Sequence, residues 1–354
     1  RDPMRILFIN RMASMVRGGG ETFDLEMARH LARLGCEVTL LTGVPLLGGA
    51  RLGPAEWWPG SDISGFGFRI SNFHIRTPYL GWFPWDKVRG GWRVRIADFI
   101  LFERAAARWA FKRRDQFDAI QVCELPFFVD AFKRLESRIL NPVARIPIVM
   151  RLTAPDFHDP HSALQRADAV IASGTTMKKV RAGLRPDCHN IPNGVDTGLF
   201  RPHESAFRAE QRWAADDVVI VSVARFQSVK NHAMLIDAFR RVLAAEPKAR
   251  LALAGSGPLE ADIRARCAAA GVADRVTFLG EMPFERVADL YASSDVAVVS
   301  SDYESFSFVA LEAMATALPL VVTATEWVPT LIGGADEKSE VRNPKSEITE
   351  APGG

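Results

Sequence analysis

Glu304 and Glu312 stand eight positions apart in the run Asp302-Tyr-Glu-Ser-Phe-Ser-Phe-Val-Ala-Leu-Glu-Ala-Met-Ala, two carboxylates around an apolar segment. A strand-like run at 295–300 leads through a polar turn into a strong helix former. That places Glu304 at a helix N-terminus and Glu312 about two turns further in. Unpaired amides and the positive end of a helix dipole suit a diphosphate, and an ionised carboxylate accepts hydrogen bonds from ribose or sugar hydroxyls. The segment therefore points to a sugar-nucleotide site. The structural alternative makes Glu304 a capping acid and Glu312 an ordinary helix-surface residue.

Two cations follow the predicted strand 218–224 on a single loop, Arg225-Phe-Gln-Ser-Val-Lys230. A planar guanidinium fork and a mobile ammonium together neutralise the charge that grows on a departing diphosphate, although such loops often carry basic residues for solubility alone. The next loop, Gly255-Ser-Gly-Pro, lets backbone approach a ligand closely or simply makes a turn. Near the N-terminus, Gly18-Gly19-Gly20 follows the opening strand and offers the same close approach to a phosphate or an acceptor, with a ligand-free flexible loop as its alternative. At the end of the strand 146–152, Arg151 is placed to meet a sugar or an acidic acceptor. Thr153, His158 and His161 follow it, and each histidine taken singly is more readily a satisfied loop residue than a catalytic one.

These groups need elements to hold them at strand ends. Residues 5–10 read as a strand, 22–34 as an amphipathic helix and 37–42 as a second strand, which is a βαβ unit. Further strands at 118–123, 146–152 and 167–173 extend a parallel sheet with helices on both faces. From 43 to 79 Gly, Pro and Trp crowd the chain, which predicts long loops with a short strand or two. A second cycle of strands appears at 218–224, 250–254, 275–279, 296–299 and 320–322. The expectation is an α/β chain with two Rossmann-like doubly wound domains facing across a cleft, spanning 1–195 and 196–332. Residues 333–354 are polar, lack apolar periodicity and predict a disordered tail.

Composition narrows the class. A chain of 354 residues, 48% hydrophobic and 24% charged, is long enough for two buried cores. No apolar run approaches a membrane span, nothing resembles a signal peptide, and four scattered cysteines lack metal-ligand spacing, so four free thiols in a reducing cytoplasm are expected. Residues 1–200 carry 28 basic against 20 acidic side chains, and the remainder 16 against 22. Within the basic half, 87–114 mixes nine basic residues with Trp92, Phe99, Ile100, Leu101, Phe102, Trp109 and Phe111. It reads either as an amphipathic face for anionic lipid or as a helix packed on its own domain; no nucleic-acid motif accompanies it.

The order Gly18-Gly19-Gly20, Asn193-Gly-Val-Asp196, Arg225 with Lys230, Gly255-Ser-Gly-Pro and Glu304 with Glu312 resembles the family-four retaining glycosyltransferases of GT-B fold over about residues 4–325. The resemblance implies a cytoplasmic, metal-independent enzyme that moves a sugar from a nucleoside diphosphate sugar to a hydroxyl acceptor, such as a polysaccharide or lipid-linked glycan at the inner membrane face. It implies that Arg225 and Lys230 hold the donor diphosphate, Glu312 the ribose and Glu304 the transferred sugar. Gly19, Gly20, Gly255 and the amides of Ser305, Phe306, Ser307 and Phe308 would approach the donor. No cofactor is implied. Two departures stand out: Thr153 occupies the place where the family often has a histidine, and the resemblance ends near Thr325. A sugar-nucleotide-binding protein without transfer, or a GT-B enzyme such as an epimerase or phosphorylase, are the competing readings.

Overall fold

The computed structural model describes residues 2–11, 13, 19–45, 68–70, 75–77, 91–138, 145–153, 159, 162–183, 185–304, 306–325 and 328. The chain divides into two compact units, Arg1–Pro192 and Asn193–Gly354. Each is built on one parallel sheet, as the alternation of apolar runs and helical segments predicts.

The first unit contains β1 (Arg5–Asn10), β2 (Glu37–Pro45), β3 (Phe68–Ile70), β4 (Ile75–Thr77), β5 (Ala119–Cys123), β6 (Ile148–Arg151), β7 (Ala169–Ala172) and β8 (His189–Asn190). Their order is β3-β2-β1-β5-β6-β7-β8, with β4 also paired to β2. Successive residues of β1 enter opposite cores because strand side chains alternate. Leu7 and Ile9 pack with Phe102, Phe128 and Phe132, whereas Ile6 and Phe8 pack with Leu25, Ala28 and Ala32. Phe102, Ala106, Ala107 and Ala110 lie on the helix Gly91–Lys112, so much of the apolar side of the basic stretch belongs to the core of its own unit. Ile96 and Leu101 of that helix remain exposed. The first helix, Gly19–Arg33, begins before the expected Thr22 start. Gly19 and Gly20 thus form its opening turn, where amides lack intrahelical acceptors and a missing side chain costs little.

The second unit contains β9 (Val218–Val223), β10 (Ala249–Ala254), β11 (Val276–Gly280), β12 (Val296–Val299) and β13 (Leu320–Val322) in the order β11-β10-β9-β12-β13. Chain direction across the sheet reverses between β9 and β12, the topological switch point where ligands of such sheets bind. Val219 and Val221 meet Val287, Leu290 and Ala313 on one face. Ile220 meets Leu251, Leu253, Ile236 and Phe239 on the other. Burial along β10 is nearly continuous, the signature of a parallel strand covered on both sides.

All four cysteines are free thiols. Among the described residues no helix is long and apolar enough to cross a membrane. The expected tail at 333–354, His158, His161, Ser305 and most of 43–79 lie outside the described residues.

Candidate functional site

Three loops meet at the carboxyl ends of β9, β10 and β12. The first begins with exposed Arg225 and tightens into a single 3-10 turn, Ser228–Lys230. Asn231 then takes a left-handed conformation and caps the helix His232–Ala245, its side chain accepting from the Met234 amide at 3.1 Å. This loop is tied to the one after β12. The Asp302 amide donates to the Val229 carbonyl at 2.9 Å, Asn231 Nδ2 to Asp302 Oδ1 at 2.7 Å, and Ser300 Oγ to the Lys230 carbonyl at 2.8 Å. Across these ties Lys230 Nζ meets Glu304 Oε1 at 2.5 Å, and Ser301 Oγ donates to the same oxygen at 2.8 Å. Lys230 and Glu304, expected on neighbouring strand-end loops, are thus in direct contact, and Arg225 lies five residues before Lys230 on its loop.

The third loop explains its glycines without a ligand. Gly255 has φ +134°, and a Cβ there would lie 2.0 Å from the Ala224 carbonyl oxygen. The Phe226 amide donates to the Ser256 carbonyl at 2.8 Å, so the two loops touch backbone to backbone. The glycine expected to admit a ligand is required first by this packing.

Glu304 does not sit at a helix N-terminus. The helix is Phe308–Ala315 with Ser307 as its cap, so Glu304 lies in the preceding loop, and Glu312 stands little more than one turn in, at the fifth helical residue. Extended backbone at Ser307 delays the helix and leaves Glu304 free to turn toward Lys230. Ser307 is buried, and its hydroxyl has no partner among the described residues. Phe306 and Phe308 flank it edge to face.

Glu312 is a buried side chain, not a helix-surface one. Burial pushes its carboxyl up to about 7, against a weaker opposing bond from Tyr291. The phenol has one proton, and at 3.2 Å the Val309 carbonyl accepts it, so burial dominates. His232, the first residue of the helix two positions after Lys230, has no signal in the sequence that marks it. It is 3% exposed, neither ring nitrogen has a partner among the described residues, and its ring stands edge-on to Phe226 at 5.0 Å. Burial and then the Lys230 charge push its imidazole down to about 4.

In the first unit, Arg151, expected to face a sugar or an acidic acceptor, is drawn into the core. Its guanidinium is buried with Asp24, Nη2 to Oδ1 3.1 Å, lies over the Phe23 ring at 3.9 Å and contacts Cys123 Sγ at 3.3 Å. Asn10 Nδ2 donates to the other Asp24 oxygen at 2.7 Å. A carboxylate carried into the core on the first helix requires such a partner, and Arg151 supplies it. Thr153 is engaged as well: its amide and hydroxyl both donate to Glu124 Oε1 at 2.6 Å. Glu124, at φ +53°, is a strained residue that no sequence signal marked.

Residues 204–347 match the family model of glycosyl transferases group 1. The match runs past Thr325, where the sequence reading sees the resemblance end. Mannosylfructose-phosphate synthase of Agrobacterium fabrum is 35% identical over 149 residues, covering 39% of this chain and 33% of that protein. D-inositol 3-phosphate glycosyltransferase of Segniliparus rotundus is 36% identical over 156 residues, covering 43% and 34%. The chain thus spans about a third of the length of these curated relatives. The crystal structure of Anabaena Alr3699/HepE in complex with UDP-glucose superimposes with a TM-score of 0.62 at 19% identity, over 90% of this chain and 80% of that one. That likeness shows the fold, two parallel-sheet Rossmann-like units of the GT-B type.

Proposed function

We propose that this chain is a retaining group 1 glycosyltransferase that moves a hexose from a nucleoside diphosphate sugar to a hydroxyl acceptor. The observation that carries the reading is the meeting of Lys230 and Glu304 at the β9/β12 switch point, with Arg225 on the same loop as Lys230, inside the segment that matches the family model. Arg225 and Lys230 neutralise the diphosphate as its bond to the anomeric carbon breaks. Glu304 accepts from the sugar hydroxyls and Glu312 from the ribose, while the Ser307 hydroxyl and the amides of Phe306 to Phe308 lie toward the phosphates. The acceptor oxygen forms the new bond and its proton leaves with the diphosphate. In this reading the compensating cations are the protein's own side chains and no cofactor takes part.

The likeness to Alr3699/HepE, solved with UDP-glucose, and to a protein described as a GDP-mannose-dependent mannosyltransferase supports a nucleotide sugar as donor without choosing the base. The test is calorimetric titration with UDP-, GDP- and ADP-sugars, with Glu312→Ala as control. One donor is expected to bind, and binding is expected to be lost in the variant; failure of every donor to bind sinks the reading. A second reading, donor binding without transfer, is favoured by the engagement of Arg151 and Thr153 inside the first unit. Binding with no donor consumption would select it.

For the acceptor we propose a polysaccharide or lipid-linked glycan presented at the cytoplasmic membrane face. Exposed Ile96 and Leu101 on a helix within the basic stretch support this. Flotation with anionic liposomes at low salt should exceed flotation with neutral ones, and equal recovery removes the electrostatic part.

A further inference from the structure

Lys230 and Glu304, assigned above to different halves of the donor, hold each other in this structure at 2.5 Å. Their side chains are 20% and 11% exposed, so water screens the pair less than it would an open surface pair. Neither partner is loosely hung. Ser301 Oγ fixes the Glu304 oxygen that faces Lys230, and Thr323 Oγ1 donates to the Ser301 carbonyl at 2.5 Å. The backbone around Lys230 is pinned by Ser300 and Asp302. An anion that reaches Lys230 must therefore approach a carboxylate that cannot easily retreat.

Two anions in the reaction differ in how they meet that carboxylate. A nucleotide sugar carries about two negative charges and brings sugar hydroxyls that donate to Glu304. The nucleoside diphosphate left after transfer carries about three near neutral pH, because its terminal phosphate gains a second ionisation near 6, and it brings no donor. We propose that the Lys230–Glu304 pair is an electrostatic latch that makes the site favour nucleotide sugar over nucleoside diphosphate and helps expel the diphosphate once the sugar has gone. Glu304 is then a specificity-determining residue as well as a sugar contact. The inference rests on the donor-site reading above.

Calorimetry with UDP, UDP-glucose, GDP and GDP-mannose on the wild-type chain, Glu304→Gln and Ser301→Ala separates the two. Glu304→Gln keeps an oxygen for Ser301 and removes the charge. It should tighten the preferred diphosphate about tenfold and leave its nucleotide sugar equal or weaker. Ser301→Ala, which only frees the carboxylate, should shift the diphosphate the same way by about two- to threefold, and it decides the question if Glu304→Gln does not fold. Diphosphate affinity that is unchanged or weaker in the folded variants overturns the latch while nucleotide-sugar binding to the wild type preserves the donor site. Absence of binding by all four nucleotides to the wild type overturns both.

Discussion

At the carboxyl ends of its strands, each unit of this chain holds an ion pair, and the two pairs are built for different work. Arg151–Asp24 has side chains 5% and 2% exposed and is contacted by Asn10, Phe23 and Cys123. Lys230–Glu304 is partly open, lies on two loops instead of a strand and a helix, and has exposed Arg225 at the start of its own loop. A pair sealed in a core can only fix the fold, because neither charge can exchange its partner without entering water-free surroundings. A pair at a loop edge can trade one partner for a ligand. For these two pairs, exposure more than residue type decides which could exchange a partner for a ligand.

The largest effect should come from breaking the sealed pair. Arg151→Met leaves Asp24 charged and unpaired in the core, and the expected loss is about 3–5 kcal/mol of unfolding free energy, read from urea titration. Adding Asp24→Asn should restore much of it; a single variant as stable as the wild type would mean that Arg151 is not structural. Breaking the open pair should do the reverse. Lys230→Ala should cost little stability, yet weaken diphosphate and nucleotide-sugar binding by about 2 kcal/mol, roughly thirtyfold. Near-normal affinity in that variant would remove Lys230 from the donor site.

The same contrast governs what could be read from the sequence. Strands such as Arg5–Asn10, Val296–Val299 and Leu320–Val322 were legible because apolar runs flanked by turn residues have few other uses. The nearness of Lys230 and Glu304 is legible because each lies on a loop after a strand that the pattern locates. Arg151 looked like them, since it too ends a strand, but its partner Asp24 is 127 positions away, and periodicity carries no record of tertiary pairing. Glu124 and His232 were invisible for a related reason. A left-handed backbone at a glutamate and a buried imidazole without partners among the described residues are consequences of packing, not of local propensity. Gly19 and Gly20 were read as loop because glycine weakens a helix, yet at the first turn that penalty is small.

Glu312 sharpens the comparison through pH. Burial raises its carboxyl from the ordinary 4.5 to about 7. The folded protein therefore holds that proton more tightly than the unfolded chain, and the group's contribution to stability falls as pH rises from about 4.5 through about 7. Ligand binding has the opposite slope, because ribose hydroxyls donate to the anion. Nucleotide-sugar affinity should rise about tenfold between about pH 6 and about pH 8, and Glu312→Gln should flatten the profile. A diphosphate diester does not titrate in this range, so the donor itself contributes no slope. Affinity independent of pH in the wild type would mean that Glu312 does not meet the donor as a carboxylate.

His232 gives the smallest effect and the most discriminating sign. Its two nitrogens, without a partner among the described residues, mean that the ring is buried for shape, at some desolvation cost. Replacement by Phe, which keeps a ring against Phe226, should change stability near pH 7 by less than about 1 kcal/mol, neutral or favourable. The imidazole is pushed down from 6.5 to about 4, so the unfolded chain binds its proton first. The stability it contributes is present above about 6.5 and is lost as pH falls toward about 4. His232→Phe should therefore gain on the wild type as the pH is lowered from about 7 to about 5, in urea titrations at both values. A variant clearly less stable near neutral pH would overturn the view that the ring is buried for shape alone.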